Sequence, residues 1–150
     1  MHSRQSRSFD KKFFGTWRLI AYEILDPDGH SRHPLGKDAI GILSYDAKGN
    51  MSGQLSKAKR RRYASDDLRK GTPEEMTSAV KSYVAYFGVY KIDPVECSIT
   101  HYVEGSLFPN WLDQPQKRFF KFANGRLILS AEFKIGGKTH TAILTWKRAT

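Results

Sequence analysis

Six residues in this chain carry chemistry that an ordinary apolar core does not need: Glu23, Tyr86, Tyr90, His101, Arg118 and His140. An imidazole or a carboxylate can move a proton, so His101 and Glu23 are the candidate acid–base pair. A guanidinium and tyrosine hydroxyls can hold developing or resident negative charge on oxygen, which casts Arg118, Tyr86 and Tyr90 as ligand contacts, with His140 beside them. Arg118 cannot shed its proton, and burying it unpaired is costly, so it requires Glu23, an anionic ligand or solvent. Each reading has a plainer counterpart. His101 can be a satisfied core histidine, a Glu23–Arg118 ion pair can simply close a mouth, and alternating tyrosines are what barrel packing gives. Two histidines and Glu23 resemble a two-His, one-carboxylate metal set, but they come from separate segments without a local motif, so no metal and no cofactor is assigned. There is no glycine-rich phosphate loop and no Gly-x-Ser-x-Gly, and a covalent hydrolase is disfavoured.

These side chains can meet only if strands position them. Segments 15–26, 40–46, 49–56, 83–93, 96–105, 117–123, 126–134 and 138–148 are rich in β-branched and aromatic residues and read as strands. Asn124-Gly125 and Gly136-Gly137 are strong hairpin turns, because both residues of each pair tolerate positive φ. A two-residue turn fixes register, and register fixes faces. About Asn124-Gly125, Phe122 opposes Leu127, Phe120 opposes Leu129 and Arg118 opposes Ala131. About Gly136-Gly137, Phe133 opposes His140, Ala131 opposes Ala142, Leu129 opposes Leu144 and Leu127 opposes Trp146. About Pro94-Val95, Tyr90 pairs with Ile99, Gly88 with His101 and Tyr86 with Val103, so His101 faces a glycine that leaves room beside its ring. If the first strand closes on the last with Trp17 level with Trp146, Glu23 falls level with His140 and all six residues point inward.

The connections sort by length. Loops 27–39, 57–82, 106–116 and the short turn 135–137 fall at one end, the mouth, three of them long, while the turns near 47–48, 94–95 and 124–125 are short and form a tight floor. A closed antiparallel up-and-down barrel of eight strands sorts its loops in this way and removes exposed sheet edges. Within 57–82 the spacing predicts one short helix, with Thr72 as cap, Pro73 at its first position, Glu74 and Glu75 in its first turn, an apolar face of Met76, Ala79 and Val80, and an end near Ser82. Asn110 and Trp111 lie in the mouth loop after Phe108-Pro109, as a lid over a ligand or a plug on the rim.

The 150 residues suit one domain, read as a basic disordered tail over 1–12 and a barrel over 13–150. The net charge of +10 is concentrated in that tail and in the run from Lys57 to Arg62. The lone Cys97 permits no internal disulfide and is expected in the core, near the floor, of a protein in a reducing cytoplasm. No apolar stretch resembles a secretory leader or a membrane span.

Further residues carry a family resemblance. Gly15-Thr16-Trp17 resembles the lipocalin Gly-x-Trp signature, in which the Trp packs at the closed end under a basic residue from the last strand, here Arg148. Residues 15–23, 41–46 with 49–52, 86–90 and, most specifically, 101–111 (HYVEGSLFPNW) resemble the lipocalin-like domain family of small intracellular barrels over about residues 13–148. The resemblance implies the eight-stranded barrel and, for related barrels, carriage of small ligands or in a few cases cyclase or isomerase chemistry.

Three functions follow as expectations. The first is binding of a small, partly apolar, anionic or ring-containing molecule in the barrel, with Trp111 and Asn110 at its mouth. In an alternative, the same pocket is a cofactor-independent isomerase, cyclase or dehydratase using His101 and Glu23. In another, the basic run 57–62 binds nucleic acid or an acidic partner. Outward Phe87, Tyr102 and Phe119 leave a homodimer open.

Overall fold

A computed structural model describes residues 8–150. Among these described residues nine strands are formed: β1 (Gly15–Leu25), β2 (Ser31–Arg32), β3 (Ile40–Tyr45), β4 (Asn50–Ser56), β5 (Tyr83–Asp93), β6 (Ser98–Ser106), β7 (Pro115–Ala123), β8 (Arg126–Ile135) and β9 (Lys138–Arg148). All but β2 pair antiparallel in the cyclic order β1-β3-β4-β5-β6-β7-β8-β9, and β1 pairs with β9 to close the barrel. The two-residue β2 is a flap on the mouth end of β1. The fold is therefore the eight-stranded barrel that strand alternation and loop lengths predict. Among the described residues no helix is long and apolar enough to cross a membrane.

The turn chemistry behaves as the residue types require. Asn124 and Gly125 take φ of 52° and 73°, and Gly136 and Gly137 take 57° and 78°. The registers across both hairpins follow, with Phe120 opposite Leu129, Leu127 opposite Trp146 and Phe133 opposite His140. The β5–β6 connection differs. It has four residues, Pro94 to Cys97, and Cys97 takes a left-handed φ of 58°. Tyr90 consequently faces His101 rather than Ile99, a shift of two residues. An even shift keeps every side chain on its face, so His101 stays inside. Cys97 itself is exposed in the turn, not packed in the core.

Two bulges reshape the wall. One lies between Phe87 and Gly88, where an added Cβ on Gly88 would stand 1.9 Å from the carbonyl oxygen of Tyr102. That glycine thus admits the neighbouring backbone and opens no space beside His101, contrary to the sequence expectation. The other bulge lies on β1 between Leu19 and Ala21. Trp17 and Leu19 pack inward before it, and Tyr22 and Ile24 after it. The extra residue reverses the alternation, and Glu23 faces outward, where it accepts a hydrogen bond from Ser31 Oγ at 3.3 Å.

The floor is an aromatic plug. Of the segment read as a tail, residues 1–7 lie outside the described residues, and residues 8–12 belong to a helical turn that carries Phe9 and Phe13 under the barrel. Phe13 is completely buried and meets Phe120 and Phe122 edge-on at 5.0 Å. Trp17 donates its indole N–H to Phe13 O at 2.9 Å, and the Arg148 guanidinium covers the same indole at 4.4 Å. That contact is worth about 0.5–2 kcal/mol, and Arg148 also donates to Phe14 O and Lys12 O.

The helix α1 (Pro73–Lys81) has the predicted cap, a reciprocal box between Thr72 and Glu75. Its expected apolar face is not its packing face. Met76 and Val80 remain 40% and 58% exposed, and the buried helix residue is Glu75. That carboxylate accepts from the backbone N–H groups of Ala64 and Thr72, both at 2.9 Å, so the helix is held by its polar side to the loop before it.

The two inward glycines of the wall should respond oppositely to a methyl group. Gly88→Ala is expected to cost about 3 kcal/mol or more, because backbone must move. Gly53→Ala meets nothing nearer than Leu43 Cδ1 at 3.4 Å and is expected to change stability by less than about 1 kcal/mol. Urea denaturation of both variants against the parent checks the pair, and equal losses would contradict the assignment.

Candidate functional site

Above the aromatic floor the barrel encloses a cavity of about 450 Å³. Its lower wall is apolar, with Leu43, Leu55, Leu129, Leu144 and Trp146. Gly53 lies among them, and its missing side chain is what hollows this side. Tyr22, Gln54, Tyr86, His101, Gln116, Arg118 and Glu132 supply the polar groups, and Trp111 forms part of the wall.

His101 is the pivot. It is 1% exposed and is bonded on both ring nitrogens, Nε2 to Tyr45 Oη at 2.6 Å and Nδ1 to Tyr86 Oη at 2.7 Å. Burial, and then the Arg118 charge, push its pKa down to about 3, so the ring is neutral. Burial raises the Tyr45 hydroxyl well above its usual range, with the neighbouring Tyr86 adding to this. Tyr86 is also raised by burial, against the pull of the Arg118 guanidinium beside it. Both phenols are protonated at neutral pH.

Arg118 leans into the cavity from β7. Its guanidinium donates to Lys117 O at 3.1 Å and Gln116 Oε1 at 3.4 Å. Among the described residues no carboxylate lies within ion-pair distance of it. The ion pair with Glu23 that the sequence allowed is removed by the β1 bulge. An aromatic chain leads down from the mouth: Phe108 meets Trp111 at 5.5 Å, Trp111 meets Tyr86 at 5.7 Å, and Tyr86 meets His101 at 5.7 Å.

The structure thus brings together His101, Arg118, Tyr86 and Trp111 from the sequence-derived set. It separates the rest. Glu23 is outside. Tyr90 lies under the cavity, edge-on to Tyr45 at 4.9 Å and bonded to Asp46 O. His140 is at the rim, stacked on Phe133 and 3.2 Å from Asp26 Oδ1. Asn110 is exposed on the turn Pro109–Trp111 and does not line the cavity. Sequence reasoning missed Tyr45, Tyr22 and Gly53. Tyr45 and Gly53 were accessible from the β3–β4 hairpin, where Met51, Gly53 and Leu55 alternate with Ser52 and Gln54, and where Tyr45 pairs with Met51 and Leu43 with Gly53. Tyr22 was hidden by the bulge.

The basic run is partly structural. Arg60 donates to Ser82 Oγ at 2.9 Å and to Ala79 O at 3.1 Å, at the C-terminal end of α1, and lies over the Tyr83 ring at 4.9 Å. It adds to a helix C-terminal cap in which Ser82 N–H already bonds Ser78 O and Ser82 Oγ bonds Ala79 O.

Comparison with known proteins agrees with this architecture. The sequence model of the lipocalin-like domain matches residues 14–149. The chain belongs to the lipocalin-like domain family. A similar protein is the 4'-hydroxy-3'-methoxypropiophenone carrier protein ppsC of Aspergillus oryzae, 27% identical over 106 residues, which cover 65% of this chain and 96% of that protein.

The buried imidazole gives this lipocalin-like barrel a pH dependence of definite sign. The unfolded chain binds a proton on His101 near its ordinary value of 6.5, and the folded chain only near 3. Acid therefore favours unfolding throughout that window. Below pH 6 the parent should lose stability faster than His101→Gln, by about 1.4 kcal/mol per pH unit. Denaturant titrations of both proteins at pH 7, 5.5 and 4.5 measure the difference, and parallel profiles would refute a buried neutral imidazole.

Proposed function

We propose that this barrel carries one small, partly apolar, ring-containing molecule whose oxygen-bearing or anionic end meets Arg118. The observation that carries this reading is a guanidinium with no carboxylate partner among the described residues, on the wall of an aromatic-lined cavity of about 450 Å³. A half-buried guanidinium without a carboxylate partner favours an anionic or strongly polar oxygen beside it. The apolar lower wall and Trp111 favour a ring. A volume of this size is typical of pockets that enclose a molecule of one or two rings. Similarity to a propiophenone carrier points the same way.

Carriage is favoured over acid–base catalysis by the state of His101. A buried imidazole bonded on both nitrogens and held neutral is poorly placed to exchange protons with a ligand. The outward Glu23 offers it no carboxylate partner. A cytoplasmic setting suits the single exposed thiol of Cys97.

Titration of the intrinsic tryptophan fluorescence with 4'-hydroxy-3'-methoxypropiophenone and with a panel of aromatic carboxylates tests the reading. Saturable one-to-one binding is expected to at least one of them. Arg118→Met should weaken it about tenfold or more, equivalent to roughly 1.4 kcal/mol. Gly53→Leu, which fills the hollow beside Leu43, should abolish it in a protein that still shows the parent's far-ultraviolet spectrum. Absence of binding by the parent across the panel would overturn the proposal.

A further inference from the structure

The hydrogen-bond arithmetic around His101 fixes which way the pocket's polar groups face. A neutral imidazole has one N–H and one bare nitrogen, so of its two phenol neighbours one donates to it and the other accepts from it. Tyr45 is 1% exposed, and among the described residues its hydroxyl bonds only His101. If Nε2 carried the proton, the Tyr45 hydroxyl would be the acceptor and its own hydrogen would be buried without a partner. Such a loss is avoided when Tyr45 donates to a bare Nε2. The proton then sits on Nδ1 and is donated to Tyr86 Oη, at 2.7 Å. Tyr86 lines the cavity, so its freed O–H hydrogen has the cavity to point into.

We infer that the Tyr45–His101–Tyr86 relay turns the Tyr86 hydroxyl into a donor aimed at the ligand, next to the Arg118 guanidinium, so that the site selects a carbonyl or carboxylate oxygen over an alcohol. Both groups at this end of the cavity then donate. Gln116 Oε1, the acceptor beside them, is already engaged by Arg118. A ketone or carboxylate oxygen accepts from both donors at no cost. An alcohol placed between these two donors turns its own hydrogen toward groups that do not accept it and loses that bond there. Tyr45 is on this account a positioning residue: it touches no ligand and acts through the tautomer of His101. The inference rests on the proposed carriage of a small molecule and refines which oxygen that molecule presents.

Two measurements test it. Long-range proton–nitrogen correlation NMR of the ¹⁵N-labelled full chain, without ligand, reads the His101 tautomer. A protonated Nδ1 with a bare Nε2 is expected, and a protonated Nε2 overturns the relay. Calorimetric titration then compares propiophenone with 1-phenylpropan-1-ol, the same skeleton with the carbonyl reduced. The ketone is expected to bind at least about tenfold more tightly, and Tyr86→Phe to bring the two within about twofold of each other. Binding of both by the parent without preference overturns the donor assignment and leaves carriage standing. Binding of neither, nor of the aromatic carboxylates, overturns carriage and this refinement with it.

Discussion

Closure of β1 against β9 decides what the barrel contains. Every other pairing joins strands adjacent along the barrel in chain order, and a connecting segment constrains each register. β1 and β9 meet from opposite ends of the domain, so only side-chain fit and backbone irregularity align them. The bulge between Leu19 and Ala21 lets one strand serve two purposes. Below it, Trp17 and Leu19 complete an apolar floor. Above it, Tyr22 and Ile24 face the cavity and Glu23 is expelled. Without that extra residue a carboxylate would stand inside, free to neutralise Arg118 and fill the space with an internal ion pair. One inserted residue therefore separates a closed mouth from a receptive one.

The parts of this arrangement legible in the sequence are those set by local turn chemistry. Asn124-Gly125 and Gly136-Gly137 left no freedom, and the facing pairs of β7, β8 and β9 follow from them. The Pro94–Cys97 connection was longer than its residues suggested, yet His101 was still placed inside, because a slip of two preserves the face. The β1–β9 register was not legible. A bulge leaves no composition signal when both alternations, Trp17-Leu19-Ala21-Glu23 and Trp17-Leu19 followed by Tyr22-Ile24, read as plausible strands. Gly88 shows the same limit from the other side: a glycine in a strand signals close approach, but not whether by a ring or by a neighbouring carbonyl oxygen.

Charge was easier to count than to interpret. The run from Lys57 to Arg62 looks like an electrostatic patch, but Arg60 is committed to the end of α1 and to Tyr83. Glu75 resembles an ordinary first-turn acid and yet ties down the loop at Ala64. Likewise the basic segment read as a tail contains Phe9 and Phe13, and their burial against Phe120 pulls residues 8–12 into the floor. In each case a few specific contacts outweigh the composition of the segment around them.

The cavity is held in a state that favours an occupant. A protein stabilised only for folding would pair Arg118 or replace it, and would fill the hollow at Gly53 with a leucine. Here a cation lines the chamber with hydrogen bonds to Lys117 O and the Gln116 side chain of its own strand, beside the Tyr86 hydroxyl and without a carboxylate partner among the described residues. His101, within reach of its charge, is held neutral by burial and by that charge. The two phenols flanking that ring fix its orientation without adding charge. What remains is the donor capacity of Arg118, above the apolar lower wall of the chamber. A ligand that supplies an acceptor oxygen to that donor, and a ring to the apolar wall, converts both features into affinity.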